Sequence, residues 1–290
     1  MKIAGFTIIR NARKYDYPVL EAIMSVLPLC DVFYVGVGQS EDDTRDMIAN
    51  IPSDKIIIID SVWDDDLRTG GQVLAIETNK IFDAIPPEYD WCFYIQSDEC
   101  VHEDDLKKLR ARMALYKNEP DVDGFLFEYK HFYGQYDYIG AGRRWYRHEV
   151  RVIRNDKRIR SYKDAQGFRT ADNKKLRVKD SGAQIYHYGW VKSPKAQQAK
   201  QATFHKMWHD DQWMEKNIPQ TPEFDYNNID LLEKYYGPHP LVMEKRIKEA
   251  DWNFNYEPAR VKITLKHKVL HWLEKRIGWR IGENRNFKLR

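Results

Sequence analysis

The sequence predicts an α/β fold: a mostly parallel, doubly wound, Rossmann-like sheet, followed by a smaller mixed second half and C-terminal helices. Three observations predict it. Apolar runs of strand length at residues 3–9, 31–37, 55–60 and 91–95 alternate with helical patterns. Each run empties into a polar or charged loop, the place where open α/β sheets hold their ligands. A chain of 290 residues, 42% hydrophobic and 31% charged, can also bury one large core.

The first strand, 3–9, is continuously apolar and leads into Arg10-Asn11-Ala12-Arg13. Tyr17-Pro18 then opens a helix with Leu20, Ile23, Met24 and Leu27 on one face. After the second strand, 31–37, a polar loop from Gly38 to Thr44 caps a short helix through Ile48. The third strand, 55–60, runs into Trp63, Asp64, Asp65, Asp66, Arg68 and Gly70-Gly71. A helix over 72–84 follows, stopped by Pro86-Pro87. The fourth strand starts at Trp91 and ends in Gln96-Ser97-Asp98-Glu99. Beyond it, 106–116 reads as an amphipathic helix, 124–131 and 149–154 as strands, and 132–148 as an aromatic, basic segment. Residues 163–169 read as a loop, 174–178 and 183–187 as short strands, and 195–214, 231–236 and 242–250 as helices. No linker composition separates the halves, so they are expected to share one body.

Composition excludes several classes. A net charge of +3 is too close to balance for a general nucleic-acid binder. Cys30, Cys92 and Cys100 form no CxxC pair, which predicts reduced thiols in a cytosol, not a disulfide framework or zinc site. The N-terminus has no secretory pattern, and no apolar run approaches the ~18 residues of a membrane span. GxGxxG, Walker A and HExxH are absent.

The candidate chemistry starts at Asp98 and Glu99. Carboxylates delivered at a strand's C-terminal end suit a hard cation bridging a diphosphate; an acidic helix cap is the plainer reading. His187, ending a short strand before Gly189, could supply a further donor. Arg143, Arg144, Arg147, Arg151 and Arg154 cluster, and arginine forks suit diphosphate oxygens; a solvated basic face is the usual meaning of such a run. Asp164, in Tyr162-Lys163-Asp164-Ala165-Gln166-Gly167, reads as turn chemistry or as a general base, with Glu149 and Glu128 as alternatives. Trp145, Trp190 and Tyr133 could stack on sugar faces or simply pack. From Arg260 onward the charge is strongly basic, with Val261, Leu265, Val269, Trp272, Leu273 and Ile277 at helical spacing. Such a basic amphipathic helix could lie on an anionic membrane or pack on the domain.

Ile8-Ile9-Arg10-Asn11, the Ser40-to-Thr44 loop and Gln96-Ser97-Asp98-Glu99 resemble glycosyltransferase family 2, of the GT-A fold. Trp145-Tyr146-Arg147, Asp164 to Arg169 and Tyr186 to Val191 resemble a bacterial subgroup of it. The resemblance spans about residues 1–200. It implies a catalytic domain over 1–200, with 1–105 binding the nucleotide-sugar and 106–200 the acceptor, and a helical extension over 201–290. It implies an inverting glycosyltransferase using a UDP- or GDP-sugar, with Mn2+ or Mg2+ as cofactor and a glycan or lipid-linked acceptor. Cell-surface polysaccharide synthesis in the cytoplasm, at the inner face of the membrane, is the implied setting. By position, Asp98 and His187 would hold the metal, and Asp164 would be the catalytic base. Arg10, Asn11, Ser40, Asp42, Gly71, Gln96, Ser97 and Arg151 would serve the donor, and Trp145, Gln166 and Trp190 the acceptor. Two departures stand out: Gln96 replaces the first acid of the DxD motif, and Val37-Gly38 replaces an acid that contacts the base. A catalytically inactive GT-A binding module and a sugar nucleotidyltransferase are the alternatives; the loop after the first strand lacks the glycine expected of the latter.

Overall fold

The computed structural model describes residues 1–218, 221–227, 229–254, 256–257, 265–277, 280 and 282–290. Four parallel strands form its first half: β1 (Ile3–Ile9), β2 (Val32–Gly38), β3 (Ile56–Ser61) and β4 (Trp91–Tyr94). They lie in the order β3-β2-β1-β4, with β1 at the centre. α1 (Val19–Val26), α2 (Thr44–Ala49), α3 (Gln72–Ala84) and α4 (Glu103–Leu115) make the crossovers and the cover. A short strand, β5 (Glu99–Val101), lies between β4 and α4.

Alternation along β1 shows why the sheet is wound on both sides. Ile3 and Ile9 enter one core with Val19 and Ile23 of α1 and Leu109 and Met113 of α4. Ala4, Phe6 and Ile8 enter the other core with Ile81 and Phe82 of α3. A strand apolar on both faces therefore reads as one continuous run. Gly36 lets α3 settle close to the sheet, since a Cβ there would lie 2.5 Å from Ile81. Full burial of a ring such as Phe6 or Phe82 contributes about 2–3 kcal/mol.

The second half extends the same sheet with mixed pairing. β6 (Gly124–Tyr133), β7 (Gln135–Gly140) and β8 (His148–Arg154) add antiparallel strands beyond β4. β9 (Ile159–Tyr162) and β10 (Gly167–Thr170) form a separate hairpin: of the loop expected over 163–169, residues 163–166 are its turn and 167–169 belong to its second strand. The two short strands expected at 174–178 and 183–187 are one, β11 (Leu176–Trp190), parallel to β6 and irregular around Gly182, whose φ is +67.

Other expectations change after that. The helix expected over 195–214 is α5 (Pro194–Phe204), a 3-10 turn, then α6 (Asp211–Asn217). Asp210 starts α6 by accepting from the Trp213 N–H at 2.8 Å, an N-cap inside the expected run. The segment 231–236 is no helix: β12 (Leu232–Lys234) pairs antiparallel with β7, Leu232 buried and Lys234 exposed. Three residues are too few to show a period. The helix expected over 242–250 is a 3-10 turn at Leu241–Met243 followed by α7 (Glu244–Lys248).

The basic C-terminal helix is α8 (Leu265–Ile277). Arg260, Val261 and Lys262 lie outside the described residues, as do the side chains of residues 265–268, Lys275 and Ile277. Glu274 turns α8 toward the body, 3.4 Å from Arg143, 3.6 Å from Arg147 and 2.7 Å from Arg280. Val269 and Trp272 are left about half exposed. β13 (Phe287–Leu289), with no signal in the sequence, then runs parallel to β11.

Candidate functional site

A cavity of about 730 Å³ opens at the C-terminal ends of the parallel strands. That is the size range of a small-molecule site, at the edge where such sheets bind ligands. Its walls include Arg10 and Asn11 after β1, Glu41 after β2, Asp64 and Asp65 after β3, and Gln96, Ser97 and Asp98 after β4. Asp164 and Gln166 come from the hairpin, His187 and Trp190 from β11, and Lys200 from α5.

The turn after β4 sends its two acids in opposite directions. Glu99 is fully buried. It accepts from Arg151 Nε and Nη2 at 2.8 Å each, from the Tyr129 hydroxyl at 2.7 Å and from the Gln96 N–H at 3.1 Å. Arg151 spends its other arm on the Gln166 carbonyl at 2.7 Å. Arg151 therefore braces the turn against the hairpin and does not border the cavity.

Asp98 faces the cavity. Burial pushes its carboxyl up, but Lys200, His187 and Lys192 outweigh that and hold it down at about 2. Oδ2 lies 3.4 Å from Lys200 Nζ, and Oδ1 lies 3.8 Å from His187 Nε2. The imidazole's protonation follows from a relay. His131 Nε2 is 2.7 Å from the Tyr146 carbonyl, which only accepts, so His131 must donate there. Its Nδ1 then accepts from His187 Nδ1 at 3.1 Å. Hydrogen-bond consistency thus assigns His187 Nε2 a lone pair aimed at the Asp98 side. Burial also pulls the His187 pKa down, which favours the neutral ring.

A lone pair and a carboxylate oxygen facing each other are a donor pair for a cation. Gly189 keeps the space beside them clear: a Cβ there would lie 2.6 Å from Asp98 Oδ2 and 2.8 Å from His187 Nε2. A His that ligates through one nitrogen and donates through the other is the usual metal-binding arrangement. The residues fit a divalent cation with two protein donors; no group of three or more His, Cys, Asp or Glu that could hold a metal occurs among the described residues. The remaining ligands would have to be ligand oxygens or water.

Asp164 borders the cavity between Lys163 and Ala165, whose φ values are 54 and 59. Two left-handed, non-glycine residues flanking Asp164 are costly, and such strain gathers at functional sites. Gly71, at φ +68 before α3, fits tightly beneath: a Cβ there would lie 2.8 Å from Asp164 Cβ. Gln96 donates to the Ala165 carbonyl at 3.2 Å, joining the β4 turn to this hairpin. Gln166 donates to Glu149 at 2.9 Å.

The other expected residues divide. Arg10 lines the cavity but is held by Asp65 at 2.5 and 3.0 Å. Asn11, left-handed at φ 55, accepts from the Glu41 N–H at 2.7 Å. Ser40 and Asp42 turn inward: Ser40 accepts from the Asn11 N–H, and Asp42 from the N–H groups of Lys14 and Thr44. They shape the loops that carry Arg10 and Asn11. Trp190 lines the cavity, while Trp145 packs behind it at 6.4 Å and stacks on His131. Sequence reasoning did not single out Lys200 or His131, and it assigned no site role to Trp63 or Tyr146, which it named only as part of a loop and a motif; the Tyr146-His131-His187 relay needs three segments brought together.

No family model matches the chain, and no curated protein matches it. Solved structures do. S. aureus TarS residues 1–349 in complex with UDP align at 14% identity and a TM-score of 0.39, over 70% of this chain and 64% of that one. The match spans only 38% of the longer TarS chain. Glucosyl-3-phosphoglycerate synthase from Mycobacterium tuberculosis, in complex with Mn2+, UDP and phosphoglyceric acid, aligns at 18% identity and a TM-score of 0.29, over 46% of this chain and 43% of that one. 4-Diphosphocytidyl-2C-methyl-D-erythritol synthase from Anaerococcus prevotii aligns at 14% and 0.34, over 53% of this chain and 70% of that one. Similarities this low carry no argument about this chain.

Proposed function

We propose that the chain is an inverting glycosyltransferase that moves a sugar from a UDP- or GDP-sugar to a glycan or lipid-linked acceptor. The observation that supports this most is the cradle at the end of β4: Asp98 Oδ1 and His187 Nε2, 3.8 Å apart, with the His131 relay behind them. A divalent cation, Mn2+ or Mg2+, bound there would supply positive charge to the departing diphosphate. Asp164 takes the proton of the acceptor hydroxyl as that oxygen bonds to the anomeric carbon. The bond from that carbon to the diphosphate breaks on the opposite face, so the configuration inverts. Arg10 and Asn11 border the nucleotide end, Gln96 and Ser97 the diphosphate, and Trp190 offers a face for the acceptor sugar. Ser40, Asp42, Gly71 and Arg151 act behind this layer by holding its loops, and Trp145 by backing Trp190.

Turnover of UDP- and GDP-sugars with Mn2+ tests the reading. Asp98→Ala and Asp164→Asn should each lower transfer about 10²–10⁴-fold while the protein stays folded. Full activity in both variants would overturn the assignment. The setting we propose is the inner membrane face, in cell-surface polysaccharide synthesis, with residues 1–200 as the catalytic unit and 201–290 as its extension. No helix among the described residues is long and apolar enough to cross a membrane. Exposed Val269 and Trp272, beside Arg276, suit an anionic surface instead. Trp272→Ser should reduce co-sedimentation with phosphatidylserine vesicles, and unchanged binding removes the membrane role.

A further inference from the structure

Lys200 has no place in the chemistry described so far. It lies on α5, which Ser193 starts by accepting from the Ala196 N–H at 3.3 Å, with Pro194 at the first turn. Its stem crosses between Tyr17 and Phe204, with Nζ 4.8 and 5.7 Å from the ring centroids. Lys200 is almost fully buried, yet it borders the cavity. It donates to the Gly189 carbonyl at 3.0 Å and lies 3.4 Å from Asp98 Oδ2. An ammonium has three N–H donors, so one is left for the cavity.

Three other cations on the cavity wall have carboxylates of their own, and a fourth, Lys206, is exposed to solvent. Arg10 holds Asp65, Lys14 holds Glu41 and Arg68 holds Asp211. Lys200 shares its carboxylate with the cation cradle. Charge accounting then becomes specific. Asp98 and Lys200 cancel, and a divalent cation cancels the two charges of a nucleotide-sugar's diphosphate. Without Lys200 the filled site would hold one positive charge fewer against Asp98 and the diphosphate, in a pocket where poorly compensated charge is costly.

Resting on the donor site proposed above, we propose that Lys200 is a second, built-in cation of that site: it donates to a diphosphate oxygen and competes with the metal for Asp98. Two opposite consequences follow. The lysine strengthens nucleoside diphosphate binding, most visibly when metal is absent. It also weakens binding of the bare metal, because a positive charge already sits 3.4 Å from the ligating carboxylate.

The test is equilibrium binding by the full chain, measured calorimetrically for UDP and GDP in EDTA, and separately for Mn2+ alone. Lys200→Met should bind the preferred nucleoside diphosphate about tenfold or more weakly in EDTA, yet bind Mn2+ several-fold more tightly. Lys200→Arg should restore much of the nucleotide affinity. Nucleotide affinity in EDTA that survives Lys200→Met overturns the inference. So does a joint loss of nucleotide and Mn2+ affinity with a lowered Tm, which is what a purely structural lysine would give. Wild-type protein that binds neither nucleotide, with or without Mn2+, overturns the donor site itself, and this inference with it.

Discussion

Asp98 and Glu99 are neighbours in the chain and opposites in the fold. Glu99 is sealed, and its oxygens are filled by Arg151, Tyr129 and the Gln96 N–H. Asp98 is nearly as buried, but its neighbours stand off at 3.4 and 3.8 Å, and it borders the cavity. One acid is spent on making the turn rigid. The other is held by that rigid turn with room left around it. A strand end that must present one carboxylate in a fixed place needs another to anchor the backbone that presents it.

The sharpest way to break that comparison is to neutralise each acid in turn. Glu99→Gln leaves Arg151 buried without its counter-ion, and removing one partner of a sealed pair costs about 3–5 kcal/mol. Asp98→Asn removes a carboxylate whose partners stand farther off, at 3.4 and 3.8 Å, and whose pKa is held down at about 2, so its stability cost should be smaller, about 2 kcal/mol. Urea unfolding of the two variants reads the difference directly. Equal losses would mean that both acids are structural and that the cavity has no privileged carboxylate.

The sequence made one side of this contrast legible and hid the other. Asp98 stood out because an apolar run stopped at it, and His187 because a strand ended there before a glycine. β1, β2, β3 and α3 were legible for a similar reason: a strand apolar on both faces and a helix ended by prolines need no tertiary information. Arg151 looked like a diphosphate ligand because nothing local to β8 reveals that Glu99 lies opposite it. Ser40 and Asp42 were visible as polar loop residues, but not as side chains turned inward to satisfy backbone N–H groups. Lys200 sits on a polar helix, where a lysine ordinarily means solvent. Only the packing of α5 over Tyr17 and Gly189 gives it another meaning. β12 and β13, three residues each, pair with strands far away in the chain, so no local pattern could announce them.

A third carboxylate stands between the two. Glu149 is buried; one oxygen accepts from Gln166, and the other has no hydrogen-bond partner among the described residues. Burial pushes its pKa up to about 7, against the pull of Arg151 and Gln166 and with a further push from Glu99 and Asp164. Because the folded-state value is raised, the native state holds a proton that the unfolded chain releases near pH 4.5. Its neutral form suits the fold. Stability should therefore fall as pH rises from about 4.5 to about 7, and level off above that. Glu149→Gln should remove this slope and gain on the wild type by on the order of 3 kcal/mol between pH 5 and pH 8. Parallel stability curves for the two proteins would show that Glu149 has found a partner for its free oxygen.

The smallest effect isolates the relay behind the cradle. His131 does not itself line the cavity, yet it sets which nitrogen of His187 carries the proton. His131→Phe keeps the stack on Trp145 but takes away the acceptor for His187 Nδ1. The neutral His187 ring is then free to carry its proton on Nε2, toward Asp98, where it blocks the lone pair a cation needs. Second-layer partners of metal-bound histidines are worth about 10–100-fold in affinity. Mn2+ binding should weaken by that factor, with little change in Tm. His131→Gln offers a carbonyl oxygen as acceptor and should recover part of the affinity. Unchanged Mn2+ affinity in His131→Phe would mean that His187 is oriented by Asp98 alone, and that the open side of the turn needs no second layer to do its work.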